Sequence, residues 1–141
     1  MCALEQKTVE LMRSKGRISW LAVLAGFFLD NILSMIIGSI AVSIEPSIAD
    51  GRYFASTAGV LAGLFLGLST VLCGFLAGWL AREDRFLHGF LVGGIGIVML
   101  LLGSLSDTGL TLDMILLQFL ATGLAGLAGY SSRWIPVRQR K

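Results

Sequence analysis

Residues Phe54–Ala81 read FASTAGVLAGLFLGLSTVLCGFLAGWLA, and the charged turn Arg82-Glu83-Asp84-Arg85 follows at once. The run contains no Asp, Glu, Lys or Arg. It exceeds the ~20 residues that an α-helix needs to cross a hydrocarbon core of ~30 Å. It is too long for a strand and lacks the alternation of a membrane barrel. The segment therefore predicts a membrane-spanning helix that ends at its charged flank.

The same reading extends in both directions. Ile18–Ile44, Phe86–Leu105 and Leu110–Ser131 are further apolar stretches of spanning length. Glu45-Pro46 stops the first, since proline cannot continue a helical ladder and restricts the residue before it. Residues Ser47 to Arg52 form a short polar link, and Ser106-Asp107-Thr108-Gly109 joins the last two stretches. Short links make neighbouring helices antiparallel. The expected fold is all-α, with four transmembrane helices over about 18–44, 54–81, 86–105 and 110–131. A segment 1–17 precedes this domain of residues 18–132, and a basic tail 133–141 follows. Leu4, Thr8, Leu11 and Met12 can share one face of a short surface helix in the first segment, with a frayed terminus as the alternative.

Composition points the same way. Of 141 residues, 55% are hydrophobic and 14% charged, against about a quarter charged in soluble domains. So short a chain cannot hide that much apolar surface from water. A net charge of +2 gives no footprint for nucleic acid. The first stretch is far longer than the 7–15-residue core of a signal peptide, so cleavage is not expected. Cys2 and Cys73 lie far apart in the pattern, and a disulfide is not expected. His88 has no histidine partner at metal-ligand spacing, so no metal site or cofactor is called for.

Ten of the eleven Lys and Arg residues fall on one side of this topology: Lys7, Arg13, Lys15, Arg17, Arg82, Arg85, Arg133, Arg138, Arg140 and Lys141. Only Arg52 falls on the other. The positive-inside rule places both termini in the cytoplasm. Trp20, Trp79, Tyr130 and Trp134 then settle at the cytoplasmic interface.

The sequence also echoes itself. Ala77-Gly78-Trp79 with Arg82 parallels Ala128-Gly129-Tyr130 with Arg133. Ile37-Gly38-Ser39-Ile40 parallels Leu102-Gly103-Ser104-Leu105. Two hairpins of one orientation, related by a pseudo-two-fold axis along the membrane normal, would produce this pattern.

Small residues recur at helical spacing. Gly59, Gly63 and Gly67 lie four apart; Gly74 and Gly78 continue the series. Gly89 and Gly93 stand on the third helix, and Gly126 and Gly129 on the fourth. In lipid, close backbone contact and dispersion hold helices together, and small residues permit that contact. These positions are expected to pack helices, either within the chain or against another copy or subunit.

One residue breaks the apolar pattern at depth. Asp30, beside Asn31, sits halfway along the first stretch. Insertion scales assign a central acid a cost of about 2.5–3.5 kcal/mol. An ionisable residue there is a functional candidate, able to carry a proton, meet a cation or bond across an interface. Ser34, Ser69, Thr70, Gln118 and Thr122 are its candidate partners by depth. The polar site is thus read as Asp30, Asn31 and Gln118. Asp113 is expected near the outer interface, where acids favour a helix N-terminus. His88 is read as part of a solvated turn, and Cys73 as a small apolar filler.

AGWLAR (Ala77–Arg82), leading through the charged turn into HGFLVGG (His88–Gly94), resembles small glycine-rich four-helix prokaryotic membrane-protein families of unknown function. The resemblance covers the second helix to the fourth and rests on glycine placement. It implies a multi-pass protein of the prokaryotic plasma (inner) membrane, and it brings no catalytic residues. No catalytic motif stands in the sequence either. The expectation is a non-enzymatic protein in contact with membrane lipids, acting through helix–helix association. It would work as a homo-oligomer or as an accessory subunit beside other membrane-protein subunits. A small transporter or proton-coupled channel built on Asp30 is the alternative.

Overall fold

A computed structural model describes residues 18–50, 52–81, 83–103 and 111–135. The described residues are all-helical, without strands. Four long helices carry the fold: α1 (Trp20–Ile44), α2 (Thr57–Leu80), α3 (Arg85–Gly103) and α4 (Leu112–Ser131). All four are long and apolar enough to cross a membrane. The surface agrees, with Leu21, Met35, Ile44, Leu64 and Leu120 among many large apolar side chains left exposed. In water such a surface would be a liability; in a bilayer, lipid tails would solvate it. The surface-helix expectation for residues 1–17 and the tail beyond residue 135 lie outside the described residues.

The helix ends follow local chemistry. α2 begins at Thr57 rather than Phe54, because Ser56 is extended and its hydroxyl accepts from the Gly59 N–H at 3.0 Å. That capped start leaves Tyr53–Ala55 as a separate 3₁₀ turn, and Pro46–Asp50 forms another. The link is not purely polar: Ile48 is buried with Ala41 and Ala62, and Tyr53 packs against them. α3 begins one residue before the expected Phe86. Asp84 makes that turn possible by taking φ = 47°, a left-handed conformation that Asp tolerates better than most residues. α4 starts at Leu112, capped by Thr111, with Asp113 in its first turn.

α2, α3 and α4 pack on one another, while α1 lies against α2 and α3. Their contacts are backbone to backbone. A Cβ on Gly78 would stand 2.6 Å from the Cα of Gly129, and one on Gly74 would stand 2.7 Å from the Cβ of Ala125. A Cβ on Gly93 would stand 2.7 Å from the Cα of Thr122, and one on Gly89 would collide with the Ala125 carbonyl. Gly26 is the matching position on α1, facing the Cys73 carbonyl, Val92 and Ala77. Val23, Cys73, Ala77 and Val92 form the buried core beside it. These glycines are spent on packing within the chain.

The other glycines divide. Gly59 and Gly63 face the Tyr53 backbone and Leu117, and Gly126 faces the Phe86 ring. Gly67, Gly38, Gly94 and Gly123 meet nothing within 4 Å. Gly89→Ala and Gly94→Ala should therefore have opposite effects. Gly89→Ala is expected to cost about 1–3 kcal/mol through overpacking. Gly94→Ala should be neutral or stabilise by up to about 1 kcal/mol, through helix propensity alone. Reversible unfolding in mixed micelles measures both, and equal effects would show that the contact does not govern stability.

Candidate functional site

The middle of α1 faces α2 through polar atoms. Asp30 is 8% exposed. The Ser69 hydroxyl donates to its Oδ1 at 2.8 Å, and the Thr70 hydroxyl approaches Oδ1 at 3.1 Å and Oδ2 at 3.2 Å. The Ser34 hydroxyl lies 3.4 Å from that of Ser69 and extends the cluster along α1. Ser69 and Thr70 are adjacent on α2, and both reach the acid. Each hydroxyl also has the Leu66 carbonyl within reach. A hydroxyl has only one proton to donate, so the bond to Asp30 competes with a bond to the helix's own backbone. Among the described residues, no basic group pairs with Asp30.

A cavity of about 250 Å³ adjoins the acid. Its polar lining is Asp30, Asn31, Ser34, Thr70 and Gln118. Its apolar lining includes Phe27, Tyr53, Met99, Met114 and Leu117. Met99 and Leu100 lie late in α3 and Met114 early in α4, so the space extends from mid-span toward the end that holds the α1–α2 link. Small residues make the room: Gly63, Gly67 and Gly96 all line it.

The structure thus brings Asp30, Asn31 and Gln118 to one cavity without bonding them together. Asn31 donates to the Phe27 carbonyl of its own helix at 2.9 Å. Gln118 donates across to the Gly93 carbonyl at 3.2 Å, its amide seated over Gly96. Of the candidate partners for the acid, Ser69 and Thr70 touch it. Ser34 touches Ser69. Thr122 turns to the Gln118 carbonyl on its own helix.

The link contributes one wall of the cavity. Tyr53 lines it, and its carbonyl sits against Gly59, where no side chain would fit. The next N–H, of Phe54, donates to Asp113 Oδ2 at 3.0 Å. The acid at the start of α4 therefore fixes the link that carries Tyr53. Burial pushes the Tyr53 hydroxyl above the ordinary phenol range, so the ring stays neutral at physiological pH.

His88 departs from the expected solvated turn: it is 1% exposed. Its Nε2 accepts from the Ser19 N–H at 2.8 Å, which fixes the proton on Nδ1, 2.9 Å from the Asp84 carbonyl. Ser19 is the residue that precedes α1 and gives it no side-chain cap. The imidazole, from α3, instead holds the N–H of Ser19 itself. Its spacing from Asp84, four residues, was the available signal; the Ser19 contact had none.

Cys73 is a buried free thiol in the core. Among the described residues no three His, Cys, Asp or Glu side chains gather to hold a metal. Comparisons with protein-family models, curated proteins and solved structures find nothing that matches this chain.

The hydroxyl contacts to Asp30 are testable by a double-mutant cycle. Thr70→Val should cost about 1–3 kcal/mol, the price of an unsatisfied buried group. In an Asp30→Leu background the same change should cost less than about half as much, because the group it serves is gone. Additive losses in micellar unfolding would mean that the contact contributes nothing.

Proposed function

We propose that this chain is a small membrane-embedded transporter or channel whose solute site is the cavity beside Asp30. The observation that carries the reading is the union of a buried acid and a polar-lined space. An acid that served packing alone would be sealed by its two hydroxyls. Here it also borders a space of about 250 Å³ shared with Asn31 and Gln118. Intramembrane carboxylates that line cavities are the usual elements of ion and proton paths.

Orientation enters this proposal as the positive-inside rule reads it, in a prokaryotic plasma membrane, with both termini cytoplasmic. Trp20, Trp79, Tyr130 and Trp134 are exposed at one end of the bundle, which supports an interface there. The tightly packed end then faces the cytoplasm, and the Tyr53 side of the cavity faces out. The two-hairpin repeat belongs to the same proposal. Its echoed Ala-Gly-aromatic segments meet each other directly, Gly78 against Gly129.

Association with a second copy or another subunit is a second reading, and one observation favours it. Gly38, Gly94 and Gly123 leave small-residue positions open, with nothing within 4 Å. The reading no longer draws on Gly74, Gly78, Gly89, Gly93 or Gly129, whose neighbours are in the chain itself.

Reconstitution separates the two. In proteoliposomes carrying a pH-sensitive dye, the wild-type chain should pass protons or solute down an imposed gradient. Asp30→Asn should lower that flux by about tenfold or more, as expected for a lost charge-assisted contact, with helicity and particle size unchanged. Equal flux from the two proteins would reject the transport reading. A particle size of two or more copies that collapses on Gly94→Leu would support association.

A further inference from the structure

We infer that the cavity beside Asp30 is built for a small primary alkylammonium ion, a proposal that rests on reading the cavity as a solute site. Several polar atoms of the lining are already committed. The hydroxyls of Ser69 and Thr70 are directed at Asp30 or at the Leu66 carbonyl. The amide nitrogen of Asn31 is turned to the Phe27 carbonyl, and that of Gln118 to the Gly93 carbonyl. What remains in the lining is the free lone pairs of Asp30, the amide oxygens of Asn31 and Gln118, the second N–H of each amide, and the Tyr53 hydroxyl. The one acid of that set offers only acceptors when ionised, which calls for a ligand that brings N–H donors to it.

Charge narrows the choice. Asp30 has no basic partner among the described residues. An ionised Asp30 would repel an anion with nothing to offset the repulsion. A cation would find the only acid in the cavity lining and would favour its ionised form. A primary ammonium brings three donors, enough to serve the acid and both amides.

The apolar wall sets the rest of the ligand. Phe27 and Tyr53 offer ring faces or edges, and Met99 and Met114 polarizable thioethers. Aromatic rings attract cations, and thioethers fit themselves to alkyl groups of varied shape. A volume of about 250 Å³ corresponds to roughly eight waters at ~30 Å³ each. That is room enough for an alkylamine of a few carbons, with space to spare, and lies below the 300–1,000 Å³ of sites for drug-sized ligands. A quaternary ammonium would satisfy the charge but leave the acceptors without donors.

The test is calorimetric titration of the detergent-purified full chain with n-propylammonium, alongside n-propanol, propionate and tetramethylammonium. The expected result is saturable binding of n-propylammonium, about tenfold or more tighter than any of the other three, from charge-assisted bonds that only it can make. Asp30→Asn should weaken it by a similar factor. Gln118→Leu, which leaves the α1–α2 contact untouched, should weaken it several-fold, and it serves if the Asp30 variant does not fold. Binding of n-propanol or tetramethylammonium as tight as that of n-propylammonium would overturn the proposal. So would n-propylammonium binding that survives both substitutions. Proton flux that depends on Asp30, with no n-propylammonium binding, would overturn the ligand class and leave the transport reading standing. Loss of both would remove the two together.

Discussion

The fold depends on how closely three helix backbones approach. Lipid tails are as apolar as the side chains they touch, so burial of leucine gains little in a bilayer. What remains is contact, and contact is strongest where nothing stands between the main chains. Gly78 against Gly129, Gly74 against Ala125 and Gly89 against the Ala125 carbonyl provide it. Each glycine sacrifices helix propensity, and each would lose its neighbour if it carried a side chain. The core beside them is built from small groups, with Ala77, Ala125 and Cys73 nearly or wholly inaccessible.

That contact is unevenly distributed along the bundle, and the cavity follows from the unevenness. The tight pairs lie toward the end with the charged turn. Toward the other end, Gly67 meets no neighbour and Gly96 makes room for the Gln118 amide. Glycine thus serves opposite ends. Where a backbone fills the notch it is an adhesive; where none does, it leaves space. Polar groups that would be costly in hydrocarbon gather beside that space and satisfy one another or the helix carbonyls.

Much of this was legible beforehand. The four spans follow from length and charge, and Asp30 announced itself as the one acid at mid-span. Ser69 and Thr70 were among its named partners because depth can be counted along antiparallel helices. Counting depth does not give rotation. Gly59, Gly63 and Gly67 look like one face, but four residues advance the helix by about 400°, a drift of about 40° per step. The three accordingly meet Tyr53, Leu117 and open space. His88 escaped for a related reason. Its partner is a backbone N–H across 69 residues of chain, and a main-chain donor leaves no mark in sequence. The Phe54 N–H on Asp113 is a second case.

The arrangement of α1 has a mechanical consequence. It is fastened at its start by the imidazole of His88 and seated at Gly26 against Cys73 and Val92. Its principal neighbours are α2 and α3. It is held again at mid-span, where the Ser69 and Thr70 hydroxyls meet Asp30, and toward its far end, where Ala41 is buried against Ile48 and Ala62. From Gly26 to Ala41 is about 22 Å at 1.5 Å per residue. A rod held at both ends and at its middle cannot tilt without breaking one of those contacts, so losing the bond at Asp30 would loosen the middle of α1 while both ends stay fixed.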